Sequence, residues 1–107
     1  MRRIAQGAGL GFRRELLTEL SSWQGKTVDF FEIAPENWAT NGGRFAKDLR
    51  RFTERYAFVC HGLSLSIGST DDLDVALVKR IKQFMAEHRI GLYTEHLSWC
   101  SHAGHLY

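Results

Sequence analysis

Two histidines hold equivalent places in two separate stretches of the chain. His61 stands in Phe58-Val59-Cys60-His61-Gly62-Leu63-Ser64-Leu65-Ser66-Ile67-Gly68-Ser69, where an apolar run enters and small hydroxyl residues with glycine carry the chain out. His96 stands in Leu92-Tyr93-Thr94-Glu95-His96-Leu97-Ser98-Trp99, a second strand-like run that ends in a histidine and a serine. Short apolar runs closed by Ser and Gly read as buried strands running into loops. The ends of such strands are where α/β proteins place their chemistry. Two neutral imidazoles arriving from two strand ends at one cavity suit a divalent transition metal such as iron, zinc or manganese. Residue types alone leave a plainer alternative open, because a histidine hydrogen-bonded inside a core has the same sequence signature.

Side-chain alternation sorts the neighbours. His61 shares a strand face with Val59 and Leu63, and His96 shares one with Thr94 and Ser98, while Glu95 points the other way. Glu32, Glu36 and Asn37 come at or just after the end of Val28-Asp29-Phe30-Phe31-Glu32-Ile33. Glu36 and Asn37 there would bind substrate or orient a metal ligand through a hydrogen bond, or would simply satisfy loop backbone. Cys100-Ser101-His102-Ala103-Gly104-His105 mixes a thiol with imidazoles, but the spacing fits no standard zinc finger. A substrate-facing loop or, more readily, a disordered tail is expected there. Cys60 in mid-strand reads as inert core, and Cys100 as the more exposed thiol. Gly7, Gly9 and Gly11 alternate without the G-x-G-x-x-G order that a dinucleotide loop needs, so they read as a first strand with close backbone packing.

These candidates need elements to position them. The first strand is expected over Ile4 to Phe12. Leu16, Leu17, Leu20 and Trp23 recur at helical steps over Arg13 to Trp23, with Gln24-Gly25-Lys26 as the stop. Val28 to Ile33 reads as the second strand, Ala34 to Trp38 as a loop and Asn41-Gly42-Gly43 as a turn. Phe45, Leu49, Phe52 and Tyr56 form one helical stripe. After the strand that carries His61, Ser69 with Asp72 resembles a capping box. Leu73, Leu77, Ile81, Phe84 and Met85 then make a third helical stripe that ends near His88, and the fourth strand spans Leu92 to Ser98. The order is β-α-β-α-β-α-β with a repeat of roughly 30 residues, which implies a parallel sheet with right-handed crossovers. A doubly wound sheet and a (β/α)8 barrel both fit that order. Short strands with polar residues at their C-terminal ends favour the barrel, which needs about 250 residues. Residues 1–107 would then form a partial barrel domain of strands one to four.

The bulk properties narrow the class. A net charge of +2, with Arg50-Arg51 and Lys79-Arg80 interleaved with acids, gives no argument for nucleic acid. No apolar run approaches the roughly 18 residues of a membrane span, and no apolar segment follows the N-terminal arginines as a secretory signal would require. Two cysteines without a CxxC spacing fit reduced thiols and a cytoplasmic setting.

Several blocks together resemble a known family. Gly9-Leu10-Gly11-Phe12-Arg13, Phe31-Glu32-Ile33 with Glu36-Asn37, His61 to Ser69, and Glu95-His96-Leu97-Ser98-Trp99 with Ser101-His102 fall in its order. The chain resembles, from about Gly7 onward, the multinuclear non-heme iron-dependent oxidative enzymes, formerly domain-of-unknown-function family 692. The resemblance implies a (β/α)8 TIM barrel with two or three iron ions at its C-terminal mouth. It implies dioxygen-dependent remodelling of cysteines in ribosomally made precursor peptides, with a partner protein that recognises the leader peptide. It assigns His61 and His96 as iron ligands, and Glu36 and Asn37 as residues that support a ligand or face substrate. The family's remaining ligands have no counterpart among these residues, so an N-terminal fragment with an incomplete iron site is expected. Two other readings stand beside this one. One is a non-catalytic half-barrel acting as an interaction module, associating with itself through open sheet edges. The other is a divalent-metal isomerase or endonuclease on the same barrel.

Overall fold

A computed structural model describes residues 4–23, 27–39 and 43–106. The expected stop at Gln24-Gly25-Lys26 and the turn at Asn41-Gly42 lie outside the described residues. Four strands form one parallel sheet: β1 (Gly9–Gly11), β2 (Phe30–Ile33), β3 (Ala57–Gly62) and β4 (Tyr93–Glu95). Between them come α1 (Leu17–Ser22), α2 (Gly43–Thr53) and α3 (Val75–His88). Strand order in the sheet follows chain order, β1-β2-β3-β4. A doubly wound sheet would reverse direction at a switch point. Sequential order is the barrel pattern, and the architecture is that of an α/β half-barrel.

Register places Phe31 beside Phe58, Ile33 beside Cys60, Glu32 beside Val59 and His61 beside Thr94. One face therefore presents Phe31, Ile33, Phe58 and Cys60, which join Leu17, Leu20, Leu49, Phe52 and Phe84 of the helices in a single core. Phe12 sits at its centre, with ring centroids 5.1–5.4 Å from Phe31, Trp38, Phe52 and Phe58. Edge-on and tilted aromatic packing of this kind adds to the burial of apolar area. The other face presents Gly9, Gly11, Glu32 and Thr94, all exposed.

Several boundaries differ from expectation. β1 is short, Gly9–Gly11, although backbone bonds to the second strand's segment flank it. The Asp29 N–H donates to the Ala8 carbonyl and the Phe12 N–H to the Glu32 carbonyl, both at 2.7 Å, and the Asp29 carboxylate also accepts the Ala8 N–H at 2.8 Å. The first helix begins as a 3₁₀ turn over Arg14–Leu16 with no side-chain cap. Within its short α part, Ser21 and Ser22 donate to the Leu17 and Glu19 carbonyls, a competition that does not favour a longer helix. Pro35–Asn37 is also a 3₁₀ turn, with proline at its first position. α2 ends at Thr53, so Tyr56 lies beyond it yet still stacks on Phe52 and Trp23.

α3 is capped by Asp74, whose carboxylate accepts the Leu77 N–H at 3.0 Å. The expected cap, Ser69, instead accepts the Asp71 N–H and donates to the Ser101 carbonyl. Leu73 precedes the helix and is half exposed. At its other end Arg89 adopts φ 56°, and the Ile90 N–H reaches back to the Met85 carbonyl at 2.9 Å. The C-terminal segment is not a disordered tail. β5 (Ser101–His102) and β6 (His105–Leu106) form an antiparallel hairpin around Ala103 and Gly104, both at positive φ, the signature of a two-residue I′ turn. Among the described residues no helix is long and apolar enough to cross a membrane.

Candidate functional site

The parallel register brings the two histidines together on the uncovered face. His61 is the penultimate residue of β3, and His96 follows β4 directly. Their ring centroids lie 4.4 Å apart with planes tilted by 55°. His96 Nδ1 lies 2.8 Å from the Gly62 carbonyl oxygen. A carbonyl only accepts, so Nδ1 carries the proton and Nε2 keeps its lone pair in the neutral ring. His61 Nδ1 lies 2.6 Å from Thr94 Oγ1, and that hydroxyl in turn points at the Cys60 carbonyl at 3.5 Å. Both rings thus engage Nδ1 in hydrogen bonds, and for His96 the carbonyl partner fixes the tautomer that leaves Nε2 for an incoming ligand. This is the hydrogen-bonding habit of metal-binding imidazoles.

The loop after His61 is anchored from three sides. Glu36 Oε2 accepts from the Leu63 N–H at 2.7 Å, the Ser64 N–H at 2.9 Å and the Ser64 hydroxyl at 3.2 Å. Its other oxygen, Oε1, is buried without a hydrogen-bond partner among the described residues. Glu95 Oε1 accepts from the Leu65 N–H at 2.8 Å. Ser66 is buried at φ 56°, and its hydroxyl accepts from the Cys100 and Ser101 N–H groups. The Gly68 N–H meets the Ser98 carbonyl at 2.8 Å. A Cβ at Gly68 would lie 2.9 Å from that oxygen, so the two loops approach this closely only with glycine there. Asp71 completes the seam by accepting from Ala103 and Gly104 of the hairpin turn. The loop behind His61 and the segment behind His96 are thus joined by hydrogen bonds along their length.

Asn37 sits at the rim. Its carbonyl accepts from the Arg14 guanidinium, which stacks 5.1 Å from the Trp38 ring centroid. Asn37, Glu32 and His61 line one cavity of about 410 Å³, together with Arg13 and Leu63. Glu36 lines a different cavity, together with Ser64, Leu65 and Ser66. His102 belongs to the hairpin, with its ring 6.1 Å from Trp99. Cys60 is fully buried, and its thiol is pushed up to about 12 by desolvation and then by the nearby Glu36 charge. Burial also raises the Tyr93 phenol, helped by its hydrogen bond to Glu95. Among the described residues no group of three or more His, Cys, Asp or Glu side chains is placed to hold an ion. The histidine pair alone fits a metal, as two neutral nitrogen donors. Thr94, Glu95 and Ser66 were not singled out as site residues from sequence. Alternation puts Thr94 on the correct face, but its pairing with His61 depends on cross-strand register.

Comparison with known proteins fits these elements. Residues 7–107 match the family described as RiPP precursor modification enzyme MbnB/TglH/ChrH, where RiPP denotes a ribosomally synthesised and post-translationally modified peptide. A UPF0276 protein of Nitrosospira multiformis is 64% identical over 105 residues, covering 98% of this chain and 37% of that protein. A UPF0276 protein of Shewanella oneidensis is 57% identical over 99 residues, covering 92% and 36% respectively. One from Pseudomonas aeruginosa is 50% identical over 106 residues, covering 99% and 37%. The chain therefore spans little more than a third of the length of these relatives. The matched residues include all four strands and both histidines, and the chain belongs to the MbnB/TglH/ChrH family of RiPP precursor modification enzymes.

Proposed function

We propose that the chain supplies two imidazole ligands to an iron-dependent oxidase that modifies cysteine residues of a ribosomally made precursor peptide. The observation that carries this reading is the imidazole pair, 4.4 Å apart with both Nδ1 atoms already committed. Family membership supports the peptide as substrate class, and favours it over a sugar isomerase or an endonuclease on the same barrel. Iron, when bound, supplies the redox chemistry by which dioxygen oxidises a substrate thiol. His61 and His96 would donate neutral lone pairs to it, with Thr94 holding the His61 ring and the Gly62 carbonyl fixing which nitrogen His96 offers. Glu36 holds the loop that follows His61, and Asn37 lines the cavity that opens beside it. Two neutral imidazoles leave the charge of a ferrous ion uncompensated, so carboxylates from further strands of a whole barrel complete a site of two or three ions. A leader-peptide-recognising partner protein presents the substrate, and the two free thiols suit a cytoplasmic setting.

The test joins this chain to the remaining two-thirds of a relative such as the Nitrosospira multiformis protein. That product, with ferrous iron, dioxygen, partner and precursor peptide, is expected to hold iron and change the mass of the peptide. His61→Ala or His96→Ala is expected to lower bound iron and abolish the mass change in a folded protein. Unchanged iron stoichiometry in both variants would refute the reading.

A second reading, an interaction module, draws on exposed apolar side chains beside the outer strands, notably Leu10 on β1 and Leu97 and Trp99 after β4. Unpaired strand edges invite self-association. Sedimentation should show concentration-dependent dimers, and a monomer at micromolar concentration would remove this reading.

A further inference from the structure

We infer that Glu95, which lies behind the histidine pair, is the positioning residue that sets its geometry. The inference rests on the reading of that pair as metal ligands. Glu95 faces the covered side of the sheet, opposite to Thr94, level with Gly62 and two residues beyond the level of Ile33, Cys60 and Tyr93. Its side chain is partly buried, and carboxylate oxygens so placed need hydrogen-bond donors. Among the described residues no cation pairs with it, so an ion pair does not account for it. Its oxygens are instead committed to two donors that bracket the pair: Oε1 to the Leu65 N–H at 2.8 Å, and Oε2 to the Tyr93 hydroxyl at 2.9 Å.

The geometry runs through Gly62. This residue pairs with Glu95 across the sheet, and its carbonyl oxygen holds His96 Nδ1. A Cβ at Gly62 would overlap both the Glu95 carboxylate and the Tyr93 hydroxyl. The carboxylate therefore occupies the space a side chain at 62 would need. It also grips the backbone three residues further on. Backbone from His61 to Leu65 is thereby pressed against β4, and the Gly62 carbonyl is held where it selects the His96 tautomer. A shift of Glu95 moves that carbonyl, and with it the lone pair that His96 offers.

Two conservative variants of the 107-residue chain separate reach from charge. Glu95→Asp keeps the charge but is one methylene too short to hold Leu65, whereas Glu95→Gln loses the charge but keeps an acceptor of the same reach. Two-bond proton–nitrogen NMR reports the tautomer of His96 without any metal, and zinc titration reports affinity. Positioning predicts that Glu95→Asp loses the Nδ1-protonated signature of His96 and weakens zinc by about ten-fold or more. It also predicts that Glu95→Gln retains both. The inference is overturned if Glu95→Asp leaves the His96 tautomer as in the parent, or if Glu95→Gln loses it, which would make the charge and not the reach decisive. A parent that binds no zinc, with a tautomer that still responds to Glu95→Asp, would refute the metal reading while upholding the positioning role.

Discussion

The two faces of this sheet are built from alternate residues of the same strands and have opposite characters. Phe31 and Glu32 are neighbours on β2. Phe31 is wholly buried in an aromatic lattice under three helices, and Glu32 lies exposed on the face that carries His61 and His96. The covered face has no charged residue from β2 or β3. The uncovered face has glycines, a carboxylate, a threonine hydroxyl and two imidazoles, beside the apolar side chains of Phe30, Ala57 and Val59. The aromatic core is packed on one side of this backbone and the histidine pair lies on the other, so each should be changeable with little effect on the other. Glu95 is the exception, a charged side chain on the covered side that acts through the backbone on the other.

Three substitutions or conditions would break or sharpen that division. The largest effect belongs to Phe31→Ala, which removes a buried ring packed on Phe12, Phe52, Tyr56 and Phe58. It is expected to cost about 3–5 kcal/mol in urea unfolding, much of a small domain's whole stability. Glu32→Ala next to it should cost within about 0.5 kcal/mol. Equal losses would erase the distinction between the faces.

The next effect is a pH dependence confined to the helices. His88 is buried at the end of α3, with its ring 4.7 Å from Phe84 and Nδ1 3.0 Å from Thr53 Oγ1. Desolvation lowers its pKa, Arg50 lowers it further, and Glu87 partly opposes them. Below the ordinary imidazole value of about 6.5 the unfolded chain takes up a proton that the folded chain resists. Stability therefore falls as pH drops through that value. His88→Gln should flatten this part of the curve, and a variant with unchanged pH dependence would remove His88 as its cause.

The smallest effect separates the thiols. Cys60, with its thiol pushed up to about 12, should resist iodoacetamide at pH 8 in the folded chain, while the partly buried Cys100 is alkylated faster. Peptide mapping that finds Cys60 labelled at the rate of Cys100 would show that the covered face opens readily.

Much of this arrangement is legible from residue order, and the exceptions share a cause. The third helix follows from Leu77, Ile81 and Phe84, whose spacing is local. Its start does not, because Ser69, Asp71, Asp72 and Asp74 could all serve as caps. The choice among them depends on Ser69 and Asp71 being used by the C-terminal hairpin. The hairpin is not legible in residue order because its turn places alanine, not asparagine or aspartate, at the first positive-φ position. The histidine pair is legible, since alternation and strand-end position are properties of each strand alone. Its supports are not. Thr94 meets His61, and Glu95 meets Leu65, only after two strands distant in sequence have adopted their register.

The proposed function requires a metal-binding imidazole pair on the uncovered face. Cupric ion, which binds nitrogen ligands most strongly among the divalent first-row metals, tests it directly through electron paramagnetic resonance. One equivalent added to the 107-residue chain should give a spectrum of two coordinated imidazoles, falling to one in His61→Ala and one in His96→Ala while both variants stay folded. A spectrum unchanged in both variants, and lost instead on replacing His102 and His105, would contradict the account.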